Sequence, residues 1–148
     1  MDNYLIRDKV VKQSLSESVQ TKLYQFGDSS NSEKQYNLSP SILGEMLLKL
    51  RDISQLSEGW DGEGADRIAP DVINRTKRIL ELSRYPLFVS PTARGSVQIE
   101  YSTRGRYVEM EISSRDVEVF AVHGENEYIA EGKESSKIDF FFNFINNE

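Results

Sequence analysis

The apolar period of this chain changes once, at Pro86. Ahead of that residue, apolar side chains recur every three or four positions; behind it they recur every second position. A run of helical periodicity followed by a run of strand periodicity folds as α+β, not as alternating βαβ units. The expected fold is therefore two to three N-terminal helices, a three- to four-stranded antiparallel sheet, and a C-terminal helix. A chain of 148 residues is the size of one domain and can bury about two thirds of its unfolded surface without staples. It has no cysteine, so disulfides, thiolate nucleophiles and cysteine-ligated metals are excluded.

In the helical half, Val11, Leu15, Val19 and Leu23 stand four apart and predict an amphipathic helix from about Asp8 to Gln25, with Leu5 and Ile6 ahead of it. Polar residues 28–35 read as a linker. Residues 1–36 are thus expected to form an N-terminal arm, and residues 37–148 a single α+β domain. Ser39-Pro40 is a helix start, serine capping and proline at the first helical position. Its apolar set is Ile42, Leu43, Met46, Leu47, Leu50, Ile53 and Leu56, with Gly59 placed as a left-handed terminator. Pro70 opens another helix, with Asp71 at the positive end of its dipole, carrying Val72, Ile73, Thr76, Ile79, Leu80 and Leu82 and ending near Tyr85.

In the sheet half, Leu87–Val89 is a short edge strand between prolines. Val97, Ile99 and Tyr101 alternate with Gln98, Glu100 and Ser102. After a hairpin turn at Arg104-Gly105, Val108, Met110 and Ile112 alternate with Glu109 and Glu111. Val117–Val122 is a more apolar strand, and Glu127–Glu131 adds another. Ile138, Phe141, Phe142 and Ile145 share one face of the closing helix, widened by Phe140 and Phe144. A core role for this helix is the simpler reading; a dimer contact is the alternative.

The segment Trp60-Asp61-Gly62-Glu63-Gly64-Ala65 joins two helices. Gly62 and Gly64 permit positive φ, Asp61 can turn back onto backbone amides, and Trp60 supplies packing area at the junction. It reads as a structural loop. The competing reading makes Asp61, Glu63 and Asp66 oxygen ligands, but the spacing and distal glutamate of an EF-hand are missing. No metal or other cofactor is expected.

With its proline-led helix, Pro91, Gly95 and the strands Val97–Tyr101 and Val108–Ile112, this loop resembles a group of short bacterial proteins of uncharacterised activity. The resemblance spans about residues 42–113, and the six-residue loop is its most specific part. It implies a bacterial or phage source and an α+β fold, and it assigns no catalytic residue.

The net charge of −6 is unevenly spread. Residues 1–95 hold 13 acids and 13 bases, whereas residues 96–131 hold eight acids against Arg104, Arg106 and Arg115. A sheet so acidic repels phosphate backbones, which argues against direct nucleic-acid binding. Glu100 and Glu109 fall opposite each other if the hairpin turns at Arg104-Gly105, and Glu111 and Glu118 extend the same acidic set. Three readings follow for these carboxylates. They are a solvated face, a surface for a partner protein with a basic surface, or a metal-binding or acid–base pair. A nuclease-like site would want a lysine as well, and this stretch has none. His123, the lone histidine, reads as a loop residue.

The favoured function is a non-enzymatic, protein-binding accessory factor of antitoxin, immunity or inhibitor type, acting through Glu100, Glu109, Glu111 and Glu118. A small metal-dependent hydrolase or nuclease and a homodimeric structural domain are the alternatives. No stretch approaches the ~20 apolar residues of a membrane span and none has signal-peptide character, so a cytoplasmic location is expected.

Overall fold

The computed structural model describes residues 39–147, together with the backbone of residues 4–7. The helix expected over Asp8–Gln25 and the linker behind it lie outside the described residues.

Helix α1 (Pro40–Ser54) begins as its sequence dictates: the Ser39 hydroxyl accepts from the Ile42 amide at 3.4 Å and Pro40 opens the first turn. It ends sooner than expected. Ile53 is its last buried residue, and the Gln55 amide closes it on the carbonyls of Asp52 and Ile53. Gly59 therefore serves in the next turn, at φ 73°, with its amide donating to the Ala65 carbonyl at 2.7 Å. Helix α2 (Pro70–Leu82) also starts on its proline, with Asp71 in the first turn and Val72, Thr76, Ile79 and Leu80 buried.

Six antiparallel strands follow the spatial order β1-β6-β5-β4-β3-β2, where β1 is Tyr4–Arg7, β2 Phe88–Pro91, β3 Val97–Thr103, β4 Arg106–Ile112, β5 Val117–His123 and β6 Asn126–Ala130. The sheet is wider than expected because Tyr4–Arg7 adds a four-residue strand at one edge, too short for alternation to show in sequence, while the short edge strand expected at Leu87–Val89 forms the other edge as β2. The outermost strand comes from the residues assigned to the arm: Tyr4 pairs with Ala130 and Arg7 with Glu127. The hairpin after β3 turns at Arg104-Gly105 as expected, with Thr103 opposite Arg106 and Gly105 at φ 71°.

One face of the sheet is apolar. Val97, Ile99, Val108, Met110, Ile112, Val117, Val119 and Ala121 are buried there against Met46, Leu50 and Ile53 of α1, Val72, Ile79 and Leu80 of α2, and the closing helix α3 (Glu134–Asn146). In α3 Phe140, Phe141 and Ile145 are buried in the core, and Phe142 and Phe144 pack against it partly buried. Arg106 secures this helix, donating to the carbonyls of Phe144 and Asn147 (2.7 Å for the latter), with its guanidinium 4.4 Å from the Phe144 ring centre. Arg75 of α2 donates to the Ser113 carbonyl and pairs with Glu134 at 2.6 Å, tying both helices to the β4–β5 turn.

The Trp60 loop folds on itself. The Asp61 Oδ1 accepts from the amides of Glu63 (2.8 Å) and Ala65 (2.9 Å), and these two bonds hold its carboxyl below the ordinary carboxylate range. Gly62 and Gly64 sit at φ 80° and 93°. Trp60 is half-buried, not fully packed as expected, and its indole N–H reaches the Asp66 carbonyl at 3.2 Å. The Asp66 amide donates to Ala93 at 2.8 Å, joining this loop to the β2–β3 turn. Gly95 makes that junction close: at φ 81°, an added Cβ would lie 3.2 Å from the Arg67 carbonyl oxygen. Gly95→Ala is expected to lower unfolding free energy by roughly 1–3 kcal/mol, through the left-handed backbone and the close contact together. Urea unfolding checks this, and a loss under about 0.5 kcal/mol would refute the packing role.

Among the described residues, no helix is long and apolar enough to cross a membrane.

Candidate functional site

The second face of the sheet carries the predicted carboxylates, and the register sorts them into three rows running across the strands. The first row is Ser102, Tyr107, Val122 and Glu127, with Arg7 opposite Glu127. The second is Phe88, Glu100, Glu109, Phe120 and Ile129, with Leu5 opposite Ile129. The third is Ser90, Gln98, Glu111 and Glu118. Alternation alone places these side chains together, since residues two apart on a strand share a face.

Burial follows the rows. Ser102, Tyr107 and Glu127 are 4%, 6% and 2% exposed, and Glu100 is 1% exposed, while Glu118 is open to solvent. Of the four carboxylates in the predicted set, only Glu118 fits the solvated-face reading; Glu109 and Glu111 are partly buried and Glu100 is enclosed. Glu100 and Glu109 are direct cross-strand partners, as the hairpin predicted. Their like charges are bridged by neutral donors. Gln98 Nε2 donates to Glu100 Oε1 and, at 3.1 Å, to Glu109 Oε2, while the Tyr107 hydroxyl donates to Glu109. Burial, then the charges of Glu109 and Glu100, push the Tyr107 hydroxyl well above the ordinary tyrosine range.

Glu111 is held from outside the strand pair. Arg94, in the β2–β3 turn, makes an ion pair with it, and the Ser96 hydroxyl donates to it at 2.5 Å. The arginines expected to balance these acids are elsewhere: Arg106 is engaged with α3, and Arg104 and Arg115 stand exposed in turns. Arg94 was missed because it precedes the strand whose partner it neutralises.

Beside the third row lies a cavity of about 360 Å³ lined by Glu109, Glu111, Asp116, Glu118, Phe120, Ile129 and Lys137, among others. It sits where β6 ends while β5 continues: the pairing of these strands runs only from Phe120 to His123 on β5. Lys137, from α3, closes that gap. Its ammonium donates to Asp116 at 2.8 Å and to the Val117 carbonyl at 3.1 Å, and its hydrogen bond holds the Asp116 carboxyl below the usual carboxylate range. A lysine does therefore reach the acidic site, from a helix that strand-by-strand reading does not associate with it.

Asp61 does not join this group, being committed to amides of its own loop. Among the described residues, no set of three or more histidines, aspartates or glutamates is arranged to hold a metal ion. His123 is exposed at the end of β5, next to the Gly124-Glu125 turn. Compared with known protein families, characterised proteins and solved structures, the chain matches none.

Proposed function

We propose that this chain is a non-enzymatic accessory factor of antitoxin, immunity or inhibitor type, which binds a basic protein in the cytoplasm. The contact strip is the third row of the acidic face with its adjoining cavity. The observation that carries this reading is the cavity that Glu111, Glu118 and Asp116 line together with Phe120 and Ile129. Acidic groups beside an apolar patch suit a partner presenting lysine or arginine next to an aliphatic or aromatic anchor. Glu100, although in the predicted set, is too buried to touch a partner directly and serves as support through Gln98. The resemblance of the Trp60–Ala65 loop to short bacterial proteins is compatible with this reading, and its glycines and Asp61 act as scaffold. A hydrolytic reading draws less support, since Glu111 is already held by Arg94 and Ser96.

The test compares affinity capture from the source organism by the native chain, by Glu118→Lys with Glu111→Gln, and by Glu63→Lys as a distant charge control. A basic protein retained by the native chain and the control should bind the double variant at least about tenfold more weakly, which is about 1.4 kcal/mol. Equal retention by the double variant, or no basic protein retained at all, would sink the proposal.

A further inference from the structure

Strand β5 is longer than the pairing it receives on one side. Strand β4 accompanies it from Val117, opposite Ile112, to His123, opposite Arg106. Strand β6 meets it only from Phe120 to His123, and among the described residues no strand continues beside Val117–Val119 on that side. The backbone there has a direction. The Asp116 carbonyl accepts from the Ser113 amide at 3.0 Å and so faces the β4 side. Successive residues of a strand alternate, which turns the backbone groups of Val117, and again those of Val119, toward the open side.

Val117 is nevertheless satisfied, by side chains. Its N–H donates to Asp116 Oδ1 at 2.7 Å and its carbonyl accepts from the Lys137 ammonium at 3.1 Å. The two side chains also pair with each other at 2.8 Å. One acid and one base thus stand where the carbonyl and amide of a neighbouring strand would. The Asp116 side chain is 52% exposed, and an ion pair open to water on one side is weakly held, so a competing main chain can replace it. Space lies beside the same edge: Asp116, Glu118, Val119 and Lys137 line the cavity of about 360 Å³, with Ala130 at the end of β6.

We infer that the basic partner lays an extended segment along Val117–Val119, its main chain replacing the Asp116–Lys137 pair on Val117 and a lysine or arginine at its centre lying opposite Glu118. The inference rests on the partner-binding reading and specifies how that partner is held. Main-chain bonds to a sheet edge supply affinity in this mode, and alternate side chains supply selectivity.

The register dictates which side chains fit. A residue directly opposite Glu118 shares its face of the sheet. Glu109, Glu111 and Asp116 line the cavity there as well, and Lys137 is the one base among the described lining residues. The residues on either side of that cation fall opposite Val117 and Val119, which are buried in the core, so they must be apolar and compact. The same charge disfavours a second copy of this chain. Antiparallel addition of two β5 edges about Glu118 would set the two Glu118 carboxylates face to face.

The test titrates the isolated full chain with three acetylated, amidated pentapeptides while its backbone amides are followed by NMR. The peptides are Thr-Val-Lys-Val-Thr, the same with glutamate for lysine, and the lysine peptide with both valines N-methylated, which keeps the charge and removes pairing donors. The lysine peptide should bind with a Kd below about 10 mM and shift the Val117 and Val119 amides, and each of the others should bind at least about tenfold more weakly. Lys137→Met removes half of the competing pair and should tighten the lysine peptide at least about threefold, leaving the N-methylated peptide weak. Should that variant fail to fold, the N-methyl comparison on the native chain decides alone. No saturable binding by about 10 mM, equal binding of the N-methylated peptide, or unmoved Val117 and Val119 amides would overturn the inference. So would a folded Lys137→Met chain that binds no tighter. A basic protein captured by the native chain but not displaced by the lysine peptide would keep the partner-binding reading and overturn edge addition by itself.

Discussion

Truncating Phe141 to alanine is expected to lower unfolding free energy by about 3–5 kcal/mol, a large part of what holds a domain of this size together. Among the described residues Phe141 is the largest fully buried side chain, and its ring stands edge-on to Phe142 at 5.2 Å. It projects from α3 into the core shared with the sheet. The loss combines the transfer energy of the ring with the cavity left among neighbours fixed to strands. Leu82→Ala, at a residue 63% exposed on α2, is the matched control and should change stability by less than about 0.5 kcal/mol. Urea unfolding with unchanged m-values would separate the two. A Phe141→Ala cost near that of the control would mean that α3 is not part of the core.

The second large effect changes with pH in alkali. The Tyr107 hydroxyl is pushed above the ordinary tyrosine value of 10.0 by burial and by Glu109 and Glu100. A raised value in the folded state means that folding favours the neutral phenol. That stability is fully present below pH 10 and is lost as pH rises toward the folded-state value, because the unfolded chain releases its proton first. The loss is about 1.4 kcal/mol per pH unit above 10. Tyr107→Phe should cost about 1–3 kcal/mol at neutral pH, by removing the donor to Glu109. It should also flatten the alkaline limb, so that the gap between the two proteins narrows between pH 10 and 12. Parallel stability curves across that range would show that Tyr107 titrates as a solvent-exposed phenol.

The parts of the fold that were legible in sequence share a physical basis. Ser39-Pro40 and Pro70 announce helices because the first turn alone tolerates proline, and both helices begin there. The Glu100–Glu109 pairing was readable because a two-residue turn at Arg104-Gly105 leaves one register. Local patterns say little about what lies beyond a strand's own neighbours. Residues 4–7 read as the lead-in to a helix because four residues show no period, and their strand character comes from the partner they find in β6. The burial of Glu100 and Glu127 was hidden for a related reason, since alternation tells which face a residue takes and not whether that face is covered. Arg94 and Lys137 were missed as companions of the acids because tertiary structure alone brings a turn and a distant helix to that face.

The pairing of β1 with β6 also has a consequence in time. Tyr4 is made before its partner Ala130, which follows more than a hundred residues later. At about 5–20 residues per second, a ribosome needs roughly 6–25 s to supply that partner. The first strand of the chain is thus the last to be seated, and until then a short apolar segment waits with its backbone unpaired. So distant a closure belongs to the slow end of single-domain folding. Until Asn126–Ala130 emerges, that unpaired strand is an aggregation hazard of the nascent chain.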